Sequence, residues 1–273
     1  MSAQGIRLST SARSDTSHQL VTRLDRLPVD SIQNDIARGY VPGATPFGSF
    51  GEREFSGATT NQIIWSNGAF TAPHPTGIRI SLVSTSANDS AAGTGIRTLD
   101  IHYLDSNLDE QFETVTMTGA DAVLTVATDI RFINTVHMDT FGSLTHAAGD
   151  ITLTNGGNTY AEILTGSPVQ ISSARMVPRG KVLYIAGATA GSVSGSAAAK
   201  VIIRLVANAY DTEIFSNPFA FVPYGSIGIQ DNTVAFTFPV PFKFVAGVVV
   251  ALSATSDKGC TVSGSIYGWL EDE

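Results

Sequence analysis

The sequence DSNLDE, at residues 105–110, places several side-chain oxygens close together. Asp105, Asn107 and Asp109 alternate as the first ligands of a calcium loop do, and crowded carboxylates also serve in acid–base chemistry. A helix–loop–helix calcium loop needs glycine at its sixth position, which here is Glu110, and strand-like sequences flank the loop. We therefore interpret DSNLDE as the polar turn of a β-hairpin. A non-standard cation site formed by Asp105, Asn107 and Asp109 is the alternative.

No other residues have the spacing of a known catalytic or metal site. The five histidines are scattered, and neither an H-x-x-x-H pair nor a G-x-S-x-G motif is present. The single cysteine, Cys260, excludes an intrachain disulfide, and we interpret it as a small buried residue of a strand. Trp65 and Trp269 have rings that can stack on sugars, but packing in a core or at its rim is the favoured interpretation. We expect no enzymatic activity and no cofactor.

The composition restricts the classes of partner. The 273 residues have a formal net charge of −8, which disfavours binding to nucleic acid through phosphate contacts. No apolar run approaches the roughly 20 residues that a membrane-spanning helix needs, and the N-terminal sequence has no apolar signal core. We therefore expect neither nucleic acid nor a membrane as partner, and a protein that is made and kept in a cytoplasm or built into something assembled there.

The first 55 residues differ in character from the rest. They contain six basic and six acidic residues, whereas the remainder contains ten basic and eighteen acidic residues. Leu20, Leu24 and Leu27 have a helix-like spacing, and a second short helical piece is predicted over residues 31–38. We interpret residues 1–55 as an extended arm that docks on a partner and includes these leucines in its interface. A partly disordered terminus is the alternative.

From residue 56 onward, short strand-like segments alternate with turn signals. Their intervals of roughly 8–15 residues predict an all-β fold with a β-sandwich or jelly-roll body. Two prolines and a shift in composition at residues 167–181 indicate a boundary near residue 165. We predict two sandwich domains, at residues 56–160 and 161–273, and a single large two-sheet fold is the alternative.

Three stretches in this body have distinctive local patterns. DITLTNGGNTYAEIL has a hairpin signal at Asn155-Gly156-Gly157. FTFPVPFKF alternates aromatic residues around two prolines that cannot donate ladder hydrogen bonds, which predicts an edge strand or a bulged strand. We expect its residues Phe236, Phe238 and Phe242 to form a subunit interface. The small-residue stretch at 187–200 predicts a long loop or an edge strand packed closely on a neighbour.

Several longer segments extend this pattern of strands and hairpins. AAGTGIRTLDIHYLDSNLDEQFETVTMTG, VATDIRFINTVHM, ARMVPRGKVLYIAG, VPFKFVAGVVVALSATSD and GSIYGWLEDE together resemble poorly characterised virion proteins of tailed bacteriophages and marine viruses. The resemblance covers most of residues 85–273 and includes no catalytic motif. It implies a structural or accessory virion protein that contacts other capsid or tail proteins. It also implies a homo-oligomer, with a trimer as a common form.

The arm, the body and the resemblance lead to one expectation and one alternative. We expect a non-enzymatic structural protein of a tailed-phage virion, either a capsid decoration or a head–tail accessory protein, anchored by its N-terminal arm. The alternative is a tail or fibre component that binds a host-surface glycan or receptor. It would use loops at one end of a sandwich, with Trp65, Tyr103 or Tyr224.

Overall fold

A computed structural model describes residues 32–195, 197–208 and 220–273, which form one short helix and sixteen strands. Leu20, Leu24 and Leu27 lie outside the described residues. The helix is α1 (Ile32–Ala37), and within this part of the chain no helix is long and apolar enough to cross a membrane. The strands are β1 (Ala44–Phe55), β2 (Thr59–Ile63), β3 (Ser81–Ser84), β4 (Ile96–Leu104), β5 (Glu110–Thr116), β6 (Val123–Leu124), β7 (Phe132–Phe141), β8 (Ile151–Asn155), β9 (Asn158–Ile163), β10 (Arg175–Met176), β11 (Lys181–Val193), β12 (Lys200–Asn208), β13 (Phe221–Gln230), β14 (Thr233–Phe244), β15 (Val249–Ser256) and β16 (Cys260–Asp272). The prediction of an all-β fold is confirmed.

The strands form four antiparallel sheets. Sheet I has the order β1-β16-β11-β14, and sheet II has the order β10-β15-β12-β13, with β2 also paired to β15. Sheet III has the order β6-β3-β8-β9, and sheet IV has the order β5-β4-β7. The middle of the chain, from β3 to β9, therefore forms sheets III and IV, whereas the segments before and after it join in sheets I and II.

Each pair of sheets encloses a hydrophobic core. Sheets I and II share the first core, and sheets III and IV share the second. Apolar residues recur at every second position of these strands, because successive side chains of a strand point to opposite faces. The first core includes Ile185, Ile203, Leu252 and Ile266. The second core includes Leu82, Leu99, Val136 and Leu153.

A third cluster joins the two parts of the molecule. Trp65, Met176 and Val249 belong to the part built on sheets I and II, and they pack with Leu104 and Phe132 of sheet IV. Strand β15 is consequently buried on both faces, with one face in the first core and the other in this junction. Its almost continuous run of apolar and small residues follows from that double burial.

The sheets divide the chain differently from the predicted domains. Strand β1 lies within residues 1–55, which we interpreted as an arm, yet it pairs with β16 along its whole length, from Ala44↔Glu271 to Phe55↔Cys260. Phe55 is buried in the first core. Residues 44–55 are therefore part of sheet I. Without them, β16 would have an unpaired edge and the first core would lose Phe55. The predicted boundary near residue 165 falls between β9 and β10.

The small-residue stretch at 187–193 is the second part of β11, an inner strand of sheet I. The prediction of a loop or an edge strand was wrong there. The small side chains reflect crowding from both neighbours: a Cβ atom on Gly187 would lie 2.2 Å from the Tyr267 hydroxyl oxygen and 2.5 Å from the Phe236 carbonyl oxygen. Close packing between strands, rather than a turn, explains the composition.

Candidate functional site

DSNLDE forms the tip of a hairpin between β4 and β5, which pair antiparallel. The carboxylate oxygen Oδ1 of Asp105 accepts hydrogen bonds from the backbone N–H groups of Asn107 at 2.7 Å and Asp109 at 3.0 Å. The backbone N–H of Leu108, whose φ is 68°, donates to the carbonyl oxygen of Asp105 at 3.0 Å. This is how a short acidic side chain stabilises a tight turn. The hairpin prediction is confirmed.

The second carboxylate of the tip contacts a distant segment. Oδ2 of Asp109 accepts a hydrogen bond from the guanidinium of Arg179 at 2.5 Å. Among the described residues, no group of three or more His, Cys, Asp or Glu side chains is arranged to hold a metal ion. The carboxylates of Asp105 and Asp109 thus bond to the protein itself. The cation site formed by Asp105, Asn107 and Asp109 stays the alternative, which titration with calcium tests.

The FTFPVPFKF sequence lies in β14, at the edge of sheet I. The register with β11 changes from Ile185↔Phe242 to Gly187↔Thr237, so residues 238–241 oppose a single residue of β11. Both prolines lie in this bulge, where no ladder hydrogen bond is required of them. The prediction of an edge strand or a bulged strand is confirmed, and β14 has both features.

The phenylalanine side chains of β14 close the side of the first core. The ring centroid of Phe238 lies 5.4 Å from that of Phe236 and 4.7 Å from that of Phe242, with the rings nearly perpendicular. Tyr224 of β13 adds a further edge-to-face contact with Phe242 at 5.8 Å. The three phenylalanines are partly buried against the core, whereas Val240 in the bulge is 77% exposed. A partner subunit would therefore contact Val240 and the outer edge of β14. The subunit interface predicted for Phe236, Phe238 and Phe242 stays a prediction.

The two tryptophans are packing residues, as we expected. Trp65 is 2% exposed, and its indole N–H donates to a backbone carbonyl at 3.1 Å. Trp269 is 7% exposed and stacks on Tyr184 with ring centroids 5.3 Å apart. Tyr103 is also buried in the second core. Of Trp65, Tyr103 and Tyr224, which we proposed for a glycan, only Tyr224 lies substantially at the surface.

The pairing of β4 with both its neighbours assembles a cluster that sequence spacing does not indicate. The ring centroid of His102 lies 5.1 Å from that of His137 and 6.1 Å from that of Phe112. Nε2 of His137 lies 3.7 Å from Oδ2 of Asp100. The alternation in β4 does place His102 on the outer face, but His137 joins it only because the register sets Asp100 opposite His137. The result is an exposed platform of three rings on sheet IV.

A groove of about 550 Å³ lies between the segment that follows β2 and the β8–β9 hairpin. Asn67, Phe70 and His74 line one side of it, and Asn158 and Tyr160 line the other. Flat rings beside amide groups are the combination with which proteins contact sugar rings and their hydroxyl groups. The residues that line this groove come from two segments far apart in the chain. The local sequence of each segment shows only turn signals and does not indicate that the two segments meet.

A carboxyl group supports one wall of this groove. Glu162 is 9% exposed, and its side chain forms a hydrogen bond with that of Asn67, which lines the groove. Desolvation raises the pKa of Glu162 above its ordinary value, the hydrogen bond with Asn67 opposes this rise, and the charge of Asp150 adds to it. Glu162 therefore positions Asn67 at a cost in stability at neutral pH.

Comparison with known proteins adds little to this geometry. No family model matches the sequence, and no curated protein matches it. A chain of the T13 viral particle of infectious bursal disease virus is similar with a TM-score of 0.14 and 9% identity, covering 88% of this chain and 78% of that chain. A chain of the T=1 particles derived from that virus has a TM-score of 0.12 and 9% identity, covering 89% and 80%. These scores are too low to support an argument about fold or function.

Proposed function

We propose that the protein is a non-enzymatic structural protein of a tailed-phage virion, either a capsid decoration or a head–tail accessory protein. Its body consists of two β-sandwiches, one formed by sheets I and II and the other by sheets III and IV. Its N-terminal segment anchors it to other virion proteins. The sequence resemblance suggests the virion, and the attachment of α1 to the body is the observation that supports the anchoring role.

Helix α1 is fixed to the outer face of sheet I. Ile36 is 2% exposed and packs with Ala44, Ala186 and Trp269. The helix ends in hydrogen bonds from the backbone N–H groups of Gly39 and Tyr40 to the carbonyl groups of the helix. Because α1 is held in this way, its first residue, Ile32, has a defined place on the body. An anchoring segment that starts from a fixed point can position the body on a particle.

A truncation tests the anchor. We expect a protein lacking residues 1–30 to melt like the full-length chain, because it keeps α1 and β1, but to be absent from purified particles. The measurement is incorporation into particles made by a host strain that expresses the variant, together with a thermal melt of the purified protein. Normal incorporation of the truncated protein would overturn the anchoring role.

A point variant of the same segment sharpens the test. The triple substitution Leu20→Ser, Leu24→Ser and Leu27→Ser keeps the length of the segment and removes its apolar side chains. We expect incorporation to fall as it does in the truncation, because apolar burial drives most docking of such segments. In the control variant, three polar residues that lie between these leucines are replaced by other polar residues. We expect this variant to incorporate normally.

The groove lined by Tyr160 and Asn158 favours a second candidate, the tail or fibre component that binds a host-surface glycan. The test is a glycan array probed with the full-length protein and with Asn158→Ala, whose side chain lies at the hairpin tip. Binding that Asn158→Ala weakens at least about fivefold supports this function, since a polar contact to a ligand is worth about 1 kcal/mol or more. An array without any bound glycan, or equal binding by the variant, would count against it.

A further inference from the structure

A second pocket, of about 430 Å³, lies beside β1, where the segment between β9 and β10 crosses from one half of the molecule to the other. This segment bridges both halves: Ser172 pairs with Phe50 of β1, and Val169 pairs with His137 of β7. Pockets at such junctions are frequent places for ligands. The walls are mainly apolar and include Phe50 and Tyr267.

The pocket contains a cation without a carboxylate partner. Arg175 lines it, and in the described residues its guanidinium forms no ion pair. Nη1 donates to the carbonyl oxygens of Ser172 at 3.0 Å and Ala174 at 2.7 Å, and no other donor of this group has a partner in the described part of the chain. Burial lowers the pKa of Arg175 to about 10. An anion in the pocket would offset this cost.

Gln170, which also lines the pocket, has an unsatisfied acceptor. Gln170 is 5% exposed, and its side-chain oxygen Oε1 is buried without a hydrogen-bond partner. A buried acceptor without a partner destabilises the protein, so a ligand that donates to Oε1 would be favoured at this place. A ligand complementary to this pocket therefore has one N–H donor for Gln170 and one carboxylate for Arg175. It also has an apolar side chain that packs against the apolar walls.

We propose that this pocket binds the C-terminal residue of a peptide or protein with an apolar or aromatic last side chain. The terminal carboxylate bonds to the free donors of Arg175, and the backbone N–H of the same residue donates to Oε1 of Gln170. The last side chain packs against Phe50 and Tyr267. One residue with a free carboxylate supplies all three features, and a simple inorganic anion supplies only the first.

Two matched probes test the proposal on the full-length protein. N-acetyl-L-phenylalanine presents the carboxylate, the N–H and the ring, whereas its C-terminal amide lacks only the carboxylate. By isothermal titration calorimetry, we expect the acid to bind and the amide to bind at least about tenfold more weakly, because a charged hydrogen bond is worth about 1.5–3 kcal/mol. Equal binding of the two, or binding of neither at millimolar concentration, would overturn the proposal, and so would equally tight binding of acetate.

Two variants distinguish binding from a structural role. Gln170→Leu should weaken binding of the acid several-fold while the thermal midpoint of the unliganded protein stays equal or rises, because the orphan acceptor is removed. Arg175→Gln should abolish the preference for the acid over the amide. The control is Arg179→Gln, an exposed arginine nearby that pairs with Asp109, and it should leave binding unchanged. If Arg175→Gln fails to fold, Gln170→Leu decides, and unchanged binding by it would refute the assignment.

Discussion

At the scale of single residues, the carboxylate of Asp89 is a buried polar group that binds several elements through hydrogen bonds. It is fully buried, and its two oxygens accept four hydrogen bonds. The donors are the hydroxyl of Ser84 at 2.6 Å and the backbone N–H groups of Ile96 at 2.8 Å, Ala148 at 2.9 Å and Gly149 at 3.0 Å. A single side chain thus joins β3, β4 and the loop before β8, which are the elements around the second core.

Asp89→Asn should lower the free energy of unfolding by about 2 kcal/mol or more, because the amide places a donor where the carboxylate accepts and also removes its charge. Urea denaturation of the full chain measures the change. Asp121→Asn, at an exposed position, is the control and should change stability by less than about 0.5 kcal/mol. Equal stability of the two variants would contradict the assigned role of Asp89.

Glu162 provides a prediction of pH dependence. Its pKa in the folded protein is raised above the ordinary value of 4.5, so the folded state holds a proton more tightly than the unfolded state. Stability is therefore lost as the pH rises from about the ordinary value through the folded pKa. Glu162→Gln keeps an acceptor for Asn67 and should raise the melting temperature at pH 7, with the gain disappearing below about pH 4. Thermal melts across pH measure this, and a less stable variant at pH 7 would refute it.

At the scale of elements, Asp105 stabilises the turn of the β4–β5 hairpin. Asp105→Ala removes the acceptor of two backbone hydrogen bonds and should cost about 1 kcal/mol, whereas Asp105→Asn keeps an acceptor oxygen and should cost less. Thermal melts with and without millimolar calcium should be the same for both variants and for the wild type. A melting temperature that rises with calcium, and no longer does so after Asp105→Asn with Asp109→Asn, would establish the cation site.

The edge strand β14 leads to a prediction about self-association. Val240 is 77% exposed in the bulge of β14. If β14 forms the contact between subunits, Val240→Asp should shift the protein from oligomer to monomer, because a charge is buried without a partner there. The melting temperature of the monomer should not change. Size-exclusion chromatography with light scattering measures the mass.

The matched control for this variant is Val193→Asp, at the end of β11, where the side chain is 72% exposed. It adds the same charge at a similar exposure but outside the β14 edge. We expect it to leave the oligomer intact. If Val240→Asp also leaves the oligomer intact, the subunit contact lies elsewhere and the assignment of Phe236, Phe238 and Phe242 to an interface fails with it.

At the scale of the whole molecule, strand β1 connects the beginning of the described chain with its last strand. Removing residues 1–55 deletes α1 and β1 and deprives β16 of a partner over twelve positions. We expect the free energy of unfolding to fall by at least about 3 kcal/mol, since burial of Phe55 alone contributes about 1.5–3 kcal/mol. Guanidinium denaturation compares this deletion with the deletion of residues 1–30, which should unfold like the full chain. Equal unfolding of both would show that β1 is dispensable.

Much of the local structure was determined by the sequence itself. Asn155-Gly156-Gly157 predicted the β8–β9 hairpin, in which Gly156 and Gly157 have φ values of 58° and 84°. The prolines at 239 and 241 predicted an edge or bulged strand, and the polar DSNLDE predicted a turn. These features depend on backbone restrictions that act within a few residues, so a short stretch of sequence is sufficient to encode them.

The tertiary structure alone decided which strands are neighbours. The pairing of β1 with β16 places residues 44–55 in sheet I and not in the predicted arm. The pairing of β11 with both β14 and β16 makes an inner strand of residues 187–193, whose small side chains suggested a loop or an edge strand. The His102–His137 contact and the pocket of Arg175 and Gln170 arise in the same way, from segments far apart in the chain. Pairing between distant strands depends on the register and packing of the whole molecule, and no local pattern specifies it.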